Sequence, residues 1–182
     1  MEEELVDVYD ENRNKKGKII ERKEGEILSS DEYILAIQCW IINSNNEILL
    51  TKRKATKKNG NMWEPTGGLV QSGENSMDGA KRELKEEIGI SVDENDLILL
   101  KTNTEKGNVN VFRNIYVINK DIQINDLEFI DGEVSDAKYV TFEEFKNMID
   151  KGEAFKWLEW FYENQKTIFE LQQQNKQDLD NN

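Results

Sequence analysis

Three glutamates in one short segment could bind a metal ion. Glu83, Glu86 and Glu87 are spaced at i, i+3 and i+4, and residues three and four apart on a helix lie on the same face, so their carboxylates can converge. Carboxylates held that close repel one another, and some take up protons at neutral pH unless a cation neutralises them. Their oxygens suit a hard divalent ion, Mg²⁺ or Mn²⁺, which proteins commonly share with substrate phosphates. The spacing therefore favours a metal site for a substrate that carries a diphosphate.

The same triplet also fits an ordinary solvated helix face. Lys81, Arg82 and Lys85 could pair with the acids for a few tenths of a kcal/mol each. An apolar stripe recurs from Ala80 to Ile88, and on a helical wheel the glutamates are centred roughly 100° away from it. They would then lie at the border between core and solvent, where the wall of a crevice would be. From the triplet alone, both interpretations remain open.

The composition excludes many other kinds of site. The 182 residues contain no histidine, and Cys39 is the only cysteine. This rules out Ser-His-Asp and Cys-His catalysis, His-bearing zinc or iron sites, Cys₄ zinc sites and an internal disulfide. The net charge of -13 argues against binding to nucleic acid or to an anionic membrane. Carboxylate chemistry with oxygen-ligand metals remains, and a basic stretch at 52–58 could still bind a small anion.

A helix and a tight loop are expected to position the acidic segment. The pattern predicts a helix from about Ser76 to Ile88, with Asn75 as its N-cap. Glycines at 67, 68 and 73 bracket the loop that precedes it. Upstream, the nearly continuous apolar run 33–42 is typical of a strand buried on both faces.

The rest of the chain is expected to form one domain over residues 1–172. Residues 1–30 form an N-terminal β-hairpin extension, with Leu5–Tyr9 paired against Lys18–Arg22 across a polar turn. The polar tail, 173–182, is expected to be disordered. The acidic start lacks the features of a secretory signal, and the longest apolar stretch is too short for a membrane span, so a cytoplasmic protein is expected.

Two helices are predicted near the C-terminus. Thr141 and Glu144 match a capping box that opens a helix to about Asp150. A second helix is predicted from Glu153 to about Gln172, with aromatic and aliphatic residues available for its buried side.

Residues 68–90 resemble the Nudix box, Gly-x5-Glu-x7-Arg-Glu-U-x-Glu-Glu-x-Gly-U, where U is aliphatic. Every specified position is met, by Gly68, Glu74, Arg82, Glu83, Leu84, Glu86, Glu87, Gly89 and Ile90. The surrounding pattern is compatible with the Nudix fold over about residues 30–170. The resemblance implies an α/β protein, a Nudix-type α/β/α sandwich with a mixed β-sheet. The N-terminal hairpin is similar to the extension of the isopentenyl-diphosphate isomerase branch of that family.

The resemblance also implies a reaction, the metal-dependent attack of water on a diphosphate linked to another group. Glu83, Glu86 and Glu87 would hold Mg²⁺ or Mn²⁺, and one of them would act through a metal-bound water. Arg82 would orient a glutamate, and Glu74 would support the site from behind the metal ligands. Gly68 and Gly89 would serve the loop-helix-loop geometry, with Gly68 also beside the substrate. The expected partner is therefore a small-molecule diphosphate substrate.

Several residues outside the box are weaker candidates. Arg53 is a phosphate contact by resemblance, or else part of a solvated basic turn. Trp63 lines the pocket or packs in the core. Glu133 is an extra metal ligand or base from a loop, or a solvated acid. Phe112 and Tyr116 share one strand face and stack on a nucleobase or pack in the core.

Two rival functions remain at this point. An isopentenyl-diphosphate isomerase shares the fold, but the isomerases use a loop cysteine and histidine ligands, and the loop 63–68 contains neither. Cys39 is expected to be a buried core residue instead. The other rival is a Nudix-fold module that binds a nucleotide without chemistry, against which the intact acid set argues. The group on the diphosphate is open, and a homodimer and a monomer are both compatible with the sequence.

Overall fold

The computed structural model describes residues 4–22 and 28–180. The parts of the predicted N-terminal extension at 1–3 and 23–27, and the last two residues of the tail, lie outside the described residues. The chain divides into two compact units, one of Met1–Trp40 with Thr66–Ile118 and one of Ile41–Pro65 with Asn119–Asn182. Within the described ranges no helix is both long and apolar enough to cross a membrane.

In the described residues six strands precede the first α-helix, three strands follow it, and three α-helices come last. In chain order the described elements are β1 (Leu5–Tyr9), β2 (Lys15–Glu21), β3 (Tyr33–Ile42), β4 (Ile48–Arg53), β5 (Trp63–Glu64), β6 (Thr66–Leu69), α1 (Ser76–Ile88), β7 (Ile98–Glu105), β8 (Asn110–Asn119), β9 (Val134–Val140), α2 (Phe142–Asp150), α3 (Glu159–Glu163) and α4 (Gln165–Asp180). The strands form a mostly antiparallel sheet. This sheet together with the four described α-helices confirms the predicted α/β fold class.

The first unit is built around β3. β1 pairs antiparallel with β2 and touches β3 where Tyr9 lies opposite Tyr33. β6 runs antiparallel to β3, with Gly68 opposite Ile37. β8 pairs with both β3 and β7. The hairpin of the predicted extension is therefore present, although its second strand begins at Lys15, three residues before the predicted start.

Helix α1 has the predicted bounds because its sequence encodes both ends. The Asn75 side chain accepts hydrogen bonds from the backbone N–H groups of Met77 and Asp78 at 2.9 and 3.0 Å, which caps the first turn. Gly89, at φ 75°, ends the helix in the left-handed region. The buried residues of α1 pack against β6, so the loop and the helix of the acidic segment form one structural unit.

The second unit contains β4 between β5 and β9, both antiparallel to it. The capping box that opens α2 is confirmed, because the Thr141 and Glu144 side chains each accept a hydrogen bond from the other's backbone N–H. Phe142 in α2 stacks on Phe161 with ring centroids 5.7 Å apart. This aromatic contact joins α2 to α3 in a helical layer.

The structure differs from the prediction near the C-terminus. The single helix expected over 153–172 is divided into a 3-10 turn at Lys156–Leu158, then α3, then α4. The tail expected to be disordered from 173 is helical as far as Asp180. Glutamine, lysine and leucine are good helix formers, so this polar segment can extend a helix that begins in a packed region. The prediction of one domain over 1–172 stays a prediction.

Candidate active site

Arg82 is the centre of a hydrogen-bonded network in the first unit. Its Nε donates to Glu74 at 2.8 Å, and Nη2 donates to Glu74 at 3.1 Å and to the Leu69 carbonyl at 2.7 Å. Nη1 donates to Glu83 at 2.8 Å and to Glu86 at 3.0 Å. Every nitrogen of the guanidinium is therefore used, and charge-assisted bonds of this kind hold geometry well. Arg82 orients Glu83 and Glu86 together, and Glu74 holds Arg82.

Glu83 is the buried carboxylate of the acidic segment. Its side chain is only 10% exposed, and burial raises its pKa to about 7 even though Arg82 favours the charged form. A side-chain carbon at Gly68 would overlap the carboxylate of Glu83. Glycine at position 68 thus lets the Glu83 carboxylate lie against β6 in the orientation that Arg82 holds, and a larger residue would displace that carboxylate.

Glu86 and Glu87 follow on the next turn of α1. Glu86 is about half exposed and accepts from Arg82, while Glu87 is partly buried. Across residues 4–22 and 28–180, no three acidic side chains stand in an arrangement ready to hold a metal ion. In this structure Arg82 bridges two of the three predicted ligands, Glu83 and Glu86, by hydrogen bonds.

The donor chemistry of this segment fits a hard divalent ion. Glu83, Glu86 and Glu87 provide carboxylate oxygens on consecutive turns of one helix, the ligand type that Mg²⁺ and Mn²⁺ prefer. A carboxylate whose pKa is raised by burial would also gain from a nearby cation, because the cation stabilises its charged form. The residues present are thus suitable ligands, and Arg82 with Glu74 keeps two of them oriented.

Cys39 behaves as the core residue that the sequence predicts. It lies in β3 opposite Thr66 and is 1% exposed. Burial raises the pKa of its thiol strongly, and the negative charges of Glu87 and Glu83 add to that shift. A thiol in this position forms little thiolate at neutral pH, so it is a poor nucleophile.

Arg53 and Trp63, two predicted substrate contacts, lie in the second unit. Arg53 Nη1 donates to the Glu64 carboxylate at 2.5 Å, and its Nε donates to the Lys58 carbonyl at 3.0 Å. Trp63 is 8% exposed, and the ammonium group of Lys138 lies 4.3 Å from its ring centroid. This packing matches the core interpretation of Trp63, and its contact with substrate stays a prediction.

Glu133 is attached to the basic stretch of the same unit. Its carboxylate forms an ion pair with Lys57, and its carbonyl accepts from the Lys54 backbone N–H at 2.8 Å. Its own N–H donates to the Asp131 carboxylate at 2.8 Å. These contacts attach the loop that carries Glu133 to residues 54–57. Glu133 is therefore held by protein groups and is not a freely solvated acid.

Phe112 and Tyr116 occupy core positions in β8. Phe112 is 2% exposed and stacks on Tyr33 with ring centroids 4.4 Å apart. The Tyr116 hydroxyl lies 2.6 Å from the Ser76 hydroxyl at the start of α1. Both side chains favour the core-packing interpretation over stacking on a nucleobase.

Sequence reasoning missed two acids that contact the candidate residues. Glu64 pairs with Arg53, and Asp7 accepts hydrogen bonds from the Ser72 hydroxyl at 3.1 Å and the Gly73 N–H at 3.2 Å. Asp7 is distant in sequence from the loop that it binds, so no local pattern could have revealed it. Glu64 lies beside Pro65 in the glycine loop segment, and its spacing from Arg53 has no helical or strand periodicity that would indicate the pair.

Comparison with known proteins identifies the family. The model of the NUDIX domain matches residues 32–161. An uncharacterized Nudix hydrolase of Listeria monocytogenes is 34% identical over 162 residues, which cover 87% of this chain and 90% of that protein.

Solved structures support the same fold. The crystal structure of a Deinococcus radiodurans protein matches with a TM-score of 0.66 and 22% identity, over 83% of this chain and 91% of that one. The NUDIX domain of NrtR from Shewanella oneidensis, solved in complex with ADP ribose, matches with a TM-score of 0.53 and 15% identity, over 63% and 77%. These likenesses are consistent with the expected α/β/α sandwich. The chain therefore belongs to the Nudix hydrolases, a family that cleaves pyrophosphate bonds in nucleoside diphosphate derivatives and generally requires divalent metal ions.

Proposed function

We propose that this protein hydrolyses a diphosphate linkage in a nucleotide-type substrate, a nucleoside diphosphate joined to another group, with Mg²⁺ or Mn²⁺ as the required ion. The observation that supports this most is the arrangement around Glu83. A buried carboxylate with a pKa near 7 lies against Gly68 and is held by Arg82. Maintaining such a group without a cation costs stability, so its presence favours a metal-binding role.

Each residue of the network around Arg82 has its own role in this proposal. Glu83, Glu86 and Glu87 supply the ligand oxygens, Arg82 keeps Glu83 and Glu86 oriented, and Glu74 keeps Arg82 in place. A divalent ion held by these residues would neutralise charge on the phosphates and lower the pKa of a bound water. In the overall reaction the oxygen of water forms a bond to phosphorus, a bridging phosphorus–oxygen bond breaks, and two phosphate-containing products leave. This chemistry needs no histidine and no cysteine.

We also propose the substrate-contacting roles that resemblance to the family implies for Arg53, Glu133 and Trp63. Arg53 would bind a phosphate bidentately, and its ion pair with Glu64 would hold the guanidinium in one orientation before substrate arrives. Glu133 would act as an additional ligand or base, with Lys57 and Lys54 fixing its loop. Trp63 would line the substrate pocket through the small part of its side chain that stays exposed. The ADP ribose bound by the similar Shewanella domain is one compound of the required type.

The test is product formation across a panel of nucleoside diphosphate derivatives, ADP ribose among them. The wild type should release a nucleoside monophosphate with Mg²⁺ and not with EDTA. Glu86→Gln and Glu87→Gln should each lower kcat by several orders of magnitude, because each loses a ligand oxygen. Glu94→Gln is the matched control, since Glu94 is an acid that pairs with Lys81 of α1 but lies outside the box.

Two outcomes would favour the rival functions. Conversion of isopentenyl diphosphate to its isomer, without hydrolysis of any panel member, would favour the isomerase. Tight binding of a panel member without product, in the presence of Mg²⁺ or Mn²⁺, would favour a binding module. Equal turnover by wild type, Glu86→Gln and Glu87→Gln would contradict the assigned metal ligands.

A further inference from the structure

The N-terminal hairpin, β1 with β2, contacts the loop that precedes α1. The loop between β6 and α1 contains a turn in which the Glu74 N–H donates to the Gln71 carbonyl at 3.1 Å. Asp7 of β1 binds both central residues of this turn, through the Ser72 hydroxyl at 3.1 Å and the Gly73 N–H at 3.2 Å. The Ser72 N–H also donates to the Leu5 carbonyl at 2.8 Å. β1 therefore holds the turn by three hydrogen bonds.

This turn orients Glu74, the first acid of the box. The Gln71 N–H donates to Glu74 at 3.0 Å, and Gly73 at φ 91° supplies the left-handed conformation that the turn requires. Glu74 accepts two hydrogen bonds from Arg82, and Arg82 also donates a hydrogen bond to Glu83. A continuous series of contacts thus runs from Asp7 to a predicted metal ligand.

Asp7 is a largely buried carboxylate whose charged form is stabilised by its hydrogen bonds. Its side chain is 13% exposed, and burial raises its pKa, but hydrogen bonds from Lys15, Gly73 and Ser72 outweigh burial and leave the pKa below its ordinary value. The Lys15 ammonium lies 2.7 Å from the carboxylate. The charged form is therefore the one that the turn and Lys15 both hold.

The hairpin is also linked to the start of α1 indirectly, through β8. Arg13, in the hairpin turn, has a φ of 65°, which is unusual for a residue other than glycine. Its guanidinium lies 4.5 Å from the centroid of the Phe112 ring and donates to Asn114 at 3.2 Å. Asn114 donates to the hydroxyl of Ser76, the first residue of α1, at 2.9 Å. Uncommon backbone conformations persist where the surroundings hold them, and they are often found at functional sites.

We infer that the N-terminal hairpin is a positioning element for the metal-binding segment. Asp7 is the positioning residue, acting through Ser72 and Gly73 on Glu74 and, through Arg82, on Glu83. The hairpin lies outside residues 32–161, which the NUDIX domain model matches. The inference deepens the proposed function and rests on it.

The test compares Asp7→Ala with Lys15→Ala. Lys15→Ala removes the same ion pair but leaves the bonds from Asp7 to the turn, so it reports the cost of the ion pair alone. For each protein, Mn²⁺ affinity is measured without substrate by electron paramagnetic resonance, and kcat and KM are measured with Mg²⁺. Asp7→Ala should weaken Mn²⁺ binding and lower kcat by about tenfold each, since loss of a supporting contact commonly costs about 10–100-fold. KM should change less than kcat, and Lys15→Ala should stay within about twofold of wild type in both readouts.

A double-mutant cycle that combines Asp7→Ala with Ser72→Ala tests whether Asp7 acts on Mn²⁺ affinity through the turn. If Asp7 acts through Ser72, the losses of Mn²⁺ affinity in the two single variants will not add in the double variant. Asp7→Asn serves if Asp7→Ala fails to fold, because asparagine has the same shape and retains one acceptor oxygen, and it should give a smaller loss of the same kind. Arg13→Ala should shift both readouts in the same direction.

Two results overturn the inference. If Asp7→Ala or Asp7→Asn lowers the melting temperature but keeps the wild-type Mn²⁺ affinity and kcat, the hairpin is only a stabilising element. If the effects of Asp7→Ala and Lys15→Ala are equal, the ion pair and not the turn is responsible. Failure of the proposed function looks different, because the wild type itself would then show neither Mn²⁺ binding nor hydrolysis.

Discussion

Glu83 makes the stability of the metal-free protein depend on pH. Its pKa is about 7 in the folded protein, because burial raises it from the ordinary glutamate value of about 4.5. The folded state therefore binds this proton more tightly than the unfolded state does between pH 4.5 and 7. Stability falls with rising pH wherever the folded state binds more protons. The free energy of unfolding in EDTA should drop over this range, by about 3 kcal/mol at most from this group.

Urea unfolding at pH 5 and pH 8 checks this prediction. Glu83→Gln should lose most of the difference and should be more stable than wild type at pH 8 in EDTA. Addition of Mg²⁺ should restore stability at pH 8 in the wild type and not in Glu83→Gln, because only the charged carboxylate gains from the cation. Glu94→Gln is the control, since Glu94 lies outside the box and its side chain is 64% exposed. Parallel pH curves for wild type and Glu83→Gln would contradict the assignment.

At the scale of elements, the end of α1 links stability to activity. Gly89 has φ 75°, and the Ile90 N–H donates to the Leu84 carbonyl at 3.2 Å. Gly89→Ala should destabilise the protein by about 1 kcal/mol, because alanine is strained in the left-handed region. Since Glu86 and Glu87 lie in this last turn, kcat should fall as well.

Gly152→Ala provides the matched comparison. Gly152 has φ 72° just beyond α2, and no atom lies within 4 Å of the carbon that alanine would add there. It should lose similar stability in thermal unfolding and keep the wild-type kcat. Loss of kcat in both variants to the same degree would mean that activity follows overall stability and not the end of α1.

Local signals explain which elements could be predicted from the sequence. Helix α1 was predictable to the residue because Asn75 and Gly89 mark its ends and its apolar residues have helical spacing. The start of β2 depends on the Arg13 turn, whose positive φ no sequence pattern of non-glycine residues indicates. The helical tail of α4 was missed because composition alone suggests disorder where helix propensity favours continuation.

The site was predictable only where it is local. The box residues from Gly68 to Glu87 lie within one loop and one helix, so spacing alone brings them together. The contact between Asp7 and the turn joins segments 65 residues apart, and it depends on strand pairing that no motif encodes. The burial that raises the pKa of Glu83 likewise depends on packing against β6.

For the whole molecule, a net charge of -13 opposes the approach of an anionic substrate. The basic stretch 52–58 offers a local exception, and Arg53 is its proposed phosphate contact. Attraction in solvent is screened over about 8–10 Å at physiological salt. Arg53→Ala should therefore raise KM by about tenfold, equivalent to about 1.4 kcal/mol of lost binding, and should weaken the rise of KM with salt.

Arg113→Ala is the control for this charge effect. Arg113 also donates to a glutamate, Glu105, at 2.8 and 3.0 Å, and its side chain is 20% exposed against 28% for Arg53. The Arg113→Ala substitution changes the net charge by the same amount as Arg53→Ala and leaves the basic stretch 52–58 intact. Equal KM values for the Arg53→Ala and Arg113→Ala variants at low and high salt would show that Arg53 does not contact the substrate.

The most direct test of the central claim is hydrolysis in ¹⁸O-labelled water with a panel substrate that the wild type cleaves. If water attacks a phosphorus of the diphosphate and the carboxylates of α1 hold the required ion, a released phosphate product will carry one ¹⁸O atom per cleavage. Labelling will require Mg²⁺ or Mn²⁺ and will be nearly absent in Glu86→Gln. Cleavage without ¹⁸O in a phosphate product, or labelling that persists in EDTA and in Glu86→Gln, would contradict the account.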